Sequence, residues 1–399
     1  MFTYLKKYKF ILCLSISVLD SCVSQKPAVT KTCGEVQKTK DSSAVQVLQI
    51  PQLSEEDSLK LKIGQMIMIG DDFKEPIATN DSLLKEIADN KVGGIIVFEK
   101  NIAAENSFAK LKNNIDTLQS KSKIPLLISI DEEGGKVHRL KEKYGFVKMP
   151  SQMYLGKIDN ADSTTFYNSQ LAKELKDLGI NMNYAPLLDM AVNENNPVIY
   201  KLWRSYSANA DMVSKHAKLS IMAHNNYNIA TVIKHFPGHG SSNTDSHLGL
   251  TDVSKTWSAE ELKPFITLIQ DGSAQVVMTA HIVNRQLDPS GLPATLSPKV
   301  ITKILRDSIG FKGVVVSDDM QMYAISKNYG QKHALELCIN AGVDLMLVGN
   351  NVIATQVQSA TKIHAMITEL VKEGKISKKR IDESYKRIIN LKKHIGILK

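Results

Sequence analysis

Eight short apolar, β-rich runs recur along this chain, with helix-like stretches between them. In order they are Gln65–Gly70 (QMIMIG), Gly93–Phe98 (GGIIVF), Pro125–Asp131 (PLLISID), Met182–Asp189 (MNYAPLLD), Thr231–Phe236 (TVIKHF), Gln275–His281 (QVVMTAH), Gly313–Asp318 (GVVVSD) and Val343–Gly349 (VDLMLVG). The intervening stretches include Phe166–Leu178, Ala208–Asn225, Ala259–Gln270 and Pro298–Ser308. Runs that are apolar at nearly every position suit strands buried on both faces, as parallel strands covered by helices are. Eight strand–helix units are the arithmetic of an α/β fold of the (β/α)8 barrel type, here as one catalytic domain. An open, doubly wound sheet is the alternative. It lacks support, because no Gly-x-Gly-x-x-Gly follows the first run and no Gly-rich phosphate loop ending in Lys-Ser/Thr occurs.

The polar residues cluster at one end of these runs. Asp131, Asp189, Lys234, His235, His281 and Asp318 all fall at or near C-terminal strand ends. That is the face on which barrel enzymes assemble their sites. Charges serving structure alone would be spread over both ends, so the clustering points to an enzyme.

The fifth run leads into KHFPGHGSSNTDSH, Lys234 to His247. Three readings are open for its histidines. A metal cage would use His235, His239 and His247, with His281 from the next strand; Pro237-Gly238 forbids the helical spacing of common zinc motifs. A loop-stabilising Asp245–His247 hydrogen bond is a second. The third makes the same pair a proton shuttle, since a carboxylate beside an imidazole fixes its tautomer and raises its basicity. Position favours the shuttle, because this loop overhangs the face that carries the other acids.

KHFPGHG followed four residues later by DSH, with GVVVSDDM and ISIDEEGGKVHR, resembles glycoside hydrolase family 3. More narrowly it is similar to the single-barrel bacterial β-N-acetylglucosaminidases, over about Lys62 to Gly396. The resemblance implies an exo-acting, retaining β-N-acetylhexosaminidase that releases terminal β-linked N-acetylglucosamine from peptidoglycan fragments or chitin-type oligosaccharides, with no metal and no organic cofactor. It places the nucleophile on Asp318, with Asp319 in a supporting role. The acid/base falls on the dyad of Asp245 and His247, with Glu132 or Glu133 as a fallback acid. Substrate binding falls on Asp131, Arg139, Arg204, Lys234 and His235. Asp189 is expected to anchor a loop, and His239 to shape one. A β-glucosidase of the same family and a non-catalytic sugar-binding lipoprotein are the alternatives. The first usually carries a second domain with a glutamate acid/base, and the second would be natural had Asp318, Asp245 or His247 been replaced.

The first 22 residues read as an export signal. Lys6, Lys7 and Lys9 precede an apolar run from Phe10 to Leu19 that is short for a membrane span. Leu19-Asp20-Ser21-Cys22 resembles a lipoprotein box, from which Asp20 departs, and implies a lipid on Cys22 of a protein exported to the periplasm or anchored in the outer membrane. Residues 23–53 are polar and read as a flexible linker, leaving 54–399 for the barrel. With Cys13 and Cys22 in the signal, Cys33 in the linker and Cys338 in a helix, no structural disulfide is expected.

The net charge of +9 is concentrated at the C-terminus, where ten Lys/Arg and three Asp/Glu follow from Val371 onward. Ile381, Tyr385, Ile388, Ile389 and Lys392 fall at helical spacing there, which gives an amphipathic surface helix with a solvated basic face. No nucleic-acid motif accompanies it, so no nucleic-acid partner is expected. The expected partner is an oligosaccharide or muropeptide substrate, met by a monomer.

Overall fold

β1 (Ile67–Gly70), β2 (Gly94–Val97), β3 (Leu127–Ile130), β4 (Met182–Asn183), β5 (Ala230–Phe236), β6 (Val276–Thr279), β7 (Val314–Ser317) and β8 (Met346–Val348) fall inside or beside the eight apolar runs. A computed structural model describes residues 54–246, 248–351 and 357–399. Each strand pairs in parallel with the next, and β1 pairs with β8 through Ile67↔Met346, Met68↔Leu347 and Ile69↔Val348. The ring closes between β7 and β8. The Val316↔Leu345 bridge, Ser317 N–H on the Leu345 carbonyl (2.9 Å) and Leu347 N–H on Ser317 Oγ (2.9 Å) join them. The protein is a (β/α)8 barrel, and residues Glu55–Lys399 form one compact unit.

All eight strands are fully buried, which explains why they read as unbroken apolar runs rather than alternating ones. The outer layer includes helices Ser107–Lys121, Ala161–Leu178, Ala210–Asn225, Gln331–Ala341 and Ala360–Lys372. Their starts are written locally. Asp81, Ser151, Asn160, Asn209, Ser359 and Ser377 each accept a backbone N–H from the first turn of the helix that follows. Two expected helices differ in form. Ala259–Gln270 is a 3-10 turn leading into a helix with a proline in its first turn, and Lys299–Ser308 is a π-helix.

The C-terminal helix Lys378–His394 buries Ile381, Ser384, Ile388 and Leu391, so the amphipathic expectation holds along most of its length. Its basic face is not wholly solvated. Arg380 and Arg387 turn inward with Arg306 onto the buried Asp344, at 2.8, 3.0 and 2.6 Å. Lys392 is also fully buried, donating to Gln65 Oε1 (2.7 Å) and the Gly93 carbonyl (3.0 Å). Both clusters lie toward the N-terminal ends of the strands, the face that serves stability in this architecture. Cys338 is buried, whereas Cys13, Cys22 and Cys33 fall outside the described residues, as do the expected signal and linker.

Candidate active site

At the C-terminal face of the barrel a pocket of about 330 Å³ is lined by Asp131, Arg139, Arg204, Lys234, His235, Asp245 and Asp318. These come from the ends of β3, β5 and β7 and from the loops after β3, β4 and β5. Every site residue expected from the sequence is therefore in one cavity, apart from His247, which lies outside the described residues. Asp318 follows β7 directly, with its N–H 3.3 Å from the Thr279 carbonyl of β6. Val137, Val198, Leu202 and Met278 supply apolar lining.

Glu133 is the hub of the charged floor. Arg204 donates to it through Nε and Nη2, both at 2.8 Å, and Lys234 Nζ lies 2.6 Å from its Oε1. Lys234 also donates to Asp131 Oδ1 at 2.8 Å, and Arg139 Nη2 lies 3.6 Å from Asp131 Oδ2. Burial raises the carboxyl of Asp131, but Lys234 and Arg139 outweigh it and hold the group well below the usual carboxylate range. Glu133 is likewise raised by burial and brought below its ordinary value by Arg204 and Lys234. Both stay ionised near neutrality. Lys234 links the two carboxylates, with Arg204 on Glu133 and Arg139 on Asp131, so that three cations and two acids form one connected polar wall.

This arrangement removes the fallback acid. A general acid must hold a proton near the working pH, and Glu133 is held in its charged form. Glu132 points away from the pocket lining. It contacts His138 Nδ1 and accepts the N–H groups of Arg139 (2.8 Å) and Leu140 (2.9 Å). Its work is to fold the loop after β3.

The base of the loop after β5 is held by two buried carboxylates. Asp189 accepts the N–H of His235 (3.2 Å) and of His239 (2.7 Å), and His235 Nδ1–H donates to its Oδ2 at 2.6 Å. Asp189 is thus the expected anchor, and it fixes the His235 tautomer so that Nε2 is left to the pocket. Glu261 accepts Ser241 N–H at 3.2 Å, and burial raises its carboxyl to about 7. The register of β5 against β6 shifts between Ile233 and Phe236. Such irregularities re-aim side chains, and here the neighbours Lys234 and His235 both line the pocket. The Lys234–His235 and Phe236–Pro237 peptide bonds are cis.

His239 packs within the loop, with Ser242 Oγ 2.8 Å from its Nδ1 and Ser246 Oγ 3.2 Å from its Nε2; burial lowers it to about 4. His281 lies buried beneath the site, between Thr295 Oγ1 (2.9 Å) and the Asp319 carbonyl (3.0 Å). Asp319 accepts the N–H groups of Gln321 (3.0 Å) and Gly349 (3.1 Å), tying the loop after β7 to the end of β8. Among the described residues, no group of three or more His, Cys, Asp or Glu is arranged to hold a metal ion.

Known proteins align with this arrangement. The family model described as the glycosyl hydrolase family 3 N-terminal domain matches residues 58–391. A beta-hexosaminidase A of Pseudoalteromonas piscicida is 32% identical over 320 residues, which is 75% of this chain and 53% of that protein. A beta-hexosaminidase of Idiomarina loihiensis is 34% identical over 71% of this chain and 87% of its own length. Among solved structures, a family 3 beta-N-acetylglucosaminidase from Paenibacillus superposes with a TM-score of 0.78 at 37% identity, covering 85% of this chain and 63% of that one. A beta-N-acetylhexosaminidase from Beutenbergia cavernae gives 0.74 at 26% identity, covering 84% and 98%. The chain thus spans about half of the Pseudoalteromonas protein and nearly all of the Beutenbergia one.

Proposed function

The chain belongs to glycosyl hydrolase family 3, and from that membership we propose that it is an exo-acting, retaining β-N-acetylhexosaminidase. One observation carries the reading: Asp318, at the tip of β7, and Asp245, on the loop after β5, line the same pocket as the Lys234–Asp131–Glu133–Arg204 wall. The names of the relatives support the substrate class.

In this mechanism Asp318 attacks the anomeric carbon and forms a glycosyl–enzyme, while the glycosidic oxygen leaves with a proton. His247, oriented by Asp245, donates that proton as imidazolium. As neutral imidazole it then takes a proton from the water that opens the intermediate. Asp131, Arg139, Arg204, Lys234 and His235 bind the terminal sugar. Charged and polar groups at the pocket wall suit this task, because a substrate lacking a matching hydroxyl leaves a desolvated polar group short of a partner. The substrate is a terminal β-linked N-acetylglucosamine of peptidoglycan fragments or chitin-type oligosaccharides. Lys6, Lys7, Lys9, the apolar run to Leu19 and Cys22 support an exported lipoprotein.

Purified protein assayed with nitrophenyl N-acetyl-β-glucosaminide and nitrophenyl β-glucoside tests the reading. Release from the first and far slower release from the second is the expected result. Turnover of the glucoside alone would overturn it.

A further inference from the structure

The C-terminal helix Lys378–His394 lies across the N-terminal ends of the strands, on the side of the barrel opposite the sugar pocket. Arg380 Nη2 donates to the Val343 carbonyl just ahead of β8 at 3.0 Å. Lys392 reaches Gln65 and Gly93, ahead of β1 and β2, and His394 Nε2 stands 3.0 Å from Gln275 Nε2, ahead of β6. Most of the net charge of +9 is gathered here, and the hexosaminidase reading makes no use of it.

The cations of this helix divide by direction. Arg380, Arg387 and Lys392 turn inward onto Asp344, Gln65 and Gly93. Lys379, Lys386 and Lys393 are exposed and recur every seven residues, so they follow one outward line about 21 Å long. Among the described residues none of the three has an acid partner, and Asp382 between them is held by Lys62 at 2.7 Å. Helices on the flank of the barrel neutralise many of their lysines within one turn, as in Lys85–Asp89, Lys112–Asp116 and Lys303–Asp307. The loops around the C-terminal helix add to its sign. Lys123 precedes β3, Lys176 precedes β4 and Lys312 precedes β7, all exposed, whereas the nearby acids Asp177 and Asp271 are engaged by Lys173 (2.7 Å) and Lys218 (2.9 Å).

The chemistry of the face limits its partner. Ile381, Ile388 and Leu391 pack on the barrel, and none of the large exposed apolar side chains falls on this helix. It can therefore neither enter acyl chains nor stack nucleic-acid bases, and it acts by charge alone. Lys378 Nζ donates to Glu55 Oε1 at 2.5 Å, so the helix that opens the barrel begins beside the first turn of the C-terminal one. The polar residues 23–53 precede it, a length that spans about 30 Å as a coil. A lipid on Cys22 at their far end would keep this face within reach of a bilayer, where a modest charge attraction suffices.

We propose that the outward side of the C-terminal helix, with the lysines of the loops around it, docks on the anionic headgroups of a lipid bilayer and turns the sugar pocket away from the membrane. This role is independent of the hexosaminidase reading. A bilayer, rather than a soluble polyanion, follows from the lipid read at Cys22.

The full chain carrying Cys22→Ser, which cannot take the lipid, is mixed with sucrose-loaded vesicles and sedimented. The vesicles are phosphatidylcholine alone or with about one third phosphatidylglycerol. The anionic vesicles should hold the protein at least about tenfold more tightly at low salt, and about 0.5 M salt should erase the difference. Lys379→Gln, Lys386→Gln and Lys393→Gln together should weaken that binding about a hundredfold, at roughly fivefold per lysine. Thermal unfolding and nitrophenyl glycoside hydrolysis should stay as in the parent, because the three side chains are exposed and far from the pocket. Equal partitioning onto the two kinds of vesicle, or a triple variant that sediments as its parent does, overturns the proposal. Tighter capture by soluble polyglutamate than by the anionic vesicles also overturns it and gives the face a soluble partner instead. Mass spectrometry of Cys22 from cell membranes judges the lipoprotein reading separately: an unmodified Cys22 counts against that reading, while the vesicles still decide the docking face.

Discussion

Arg204 grips Glu133 through two parallel hydrogen bonds of 2.8 Å, although 71 residues separate them in the chain. The pair joins the loops after β3 and β4 across the pocket floor. Removing Glu133 leaves a buried guanidinium and a buried ammonium short of a counter-charge. Glu133→Ala should therefore destabilise the fold by about 3–5 kcal/mol, measured as a lower denaturant midpoint. An unchanged midpoint would show that the pair is dispensable.

Asp318→Asn should leave thermal unfolding nearly unchanged and depress kcat by roughly ten-thousand-fold or more, the scale on which loss of a nucleophile acts. A slow fluorosugar substrate should label Asp318 in the wild type, read by peptide mass spectrometry. Label on Asp319 or Glu133 would reassign the nucleophile.

His247→Ala should separate leaving groups. General acid catalysis contributes about 10²–10⁴-fold, and only a poor leaving group needs it at the first step. Glycosylation of the variant should thus slow far more with unactivated disaccharide than with a nitrophenyl glycoside. Equal losses would place His247 elsewhere in the mechanism.

Burial brings the Lys392 ammonium down to about 7, against ~10.4 for an exposed lysine. Between those values the unfolded chain binds more protons than the folded one. The penalty of burying the ammonium is thus complete below pH 7 and is relieved as pH rises toward ~10. Stability should climb with pH across that window by about 1 kcal/mol per unit, and Lys392→Met should flatten the climb. Denaturant midpoints at four pH values, run for both proteins, read it directly.

Glu261 carries the opposite sign. Burial raises its carboxyl to about 7, so between ~4.3 and that value the folded state binds more protons. Its contribution is present at low pH and is lost as pH rises through about 7. Glu261→Gln mimics the protonated form and should gain stability over the wild type between pH 5 and 7. Superimposable curves would show that Glu261 does not titrate there.

The barrel was legible because burial on both faces strips its strands of polar positions, and each of the eight runs, from Gln65–Gly70 to Val343–Gly349, contains or overlaps a strand. Asp131, Lys234, His235 and Asp318 were legible because barrel chemistry gathers at strand ends. Partnerships across the sequence were not. Nothing local announces that Arg204 meets Glu133, or that Arg306, Arg380 and Arg387 converge on Asp344; the latter two look like part of a solvated basic face until Asp344 is placed beneath them. Lys392 sits at an apolar helical position whose burial only the packed helix reveals. The two-residue ladder of Thr251–Asp252 with Ile282–Val283 is too short to leave any periodic signal.

The loop after β3 alternates its side chains between two neighbouring recesses while its backbone is pinned by Gly134 and Gly135. Mutation can consequently act on one side at a time. Lys136 and His138 face the outer recess, whereas Val137 and Arg139 face the sugar pocket, so neighbouring positions on one short segment report on two different spaces.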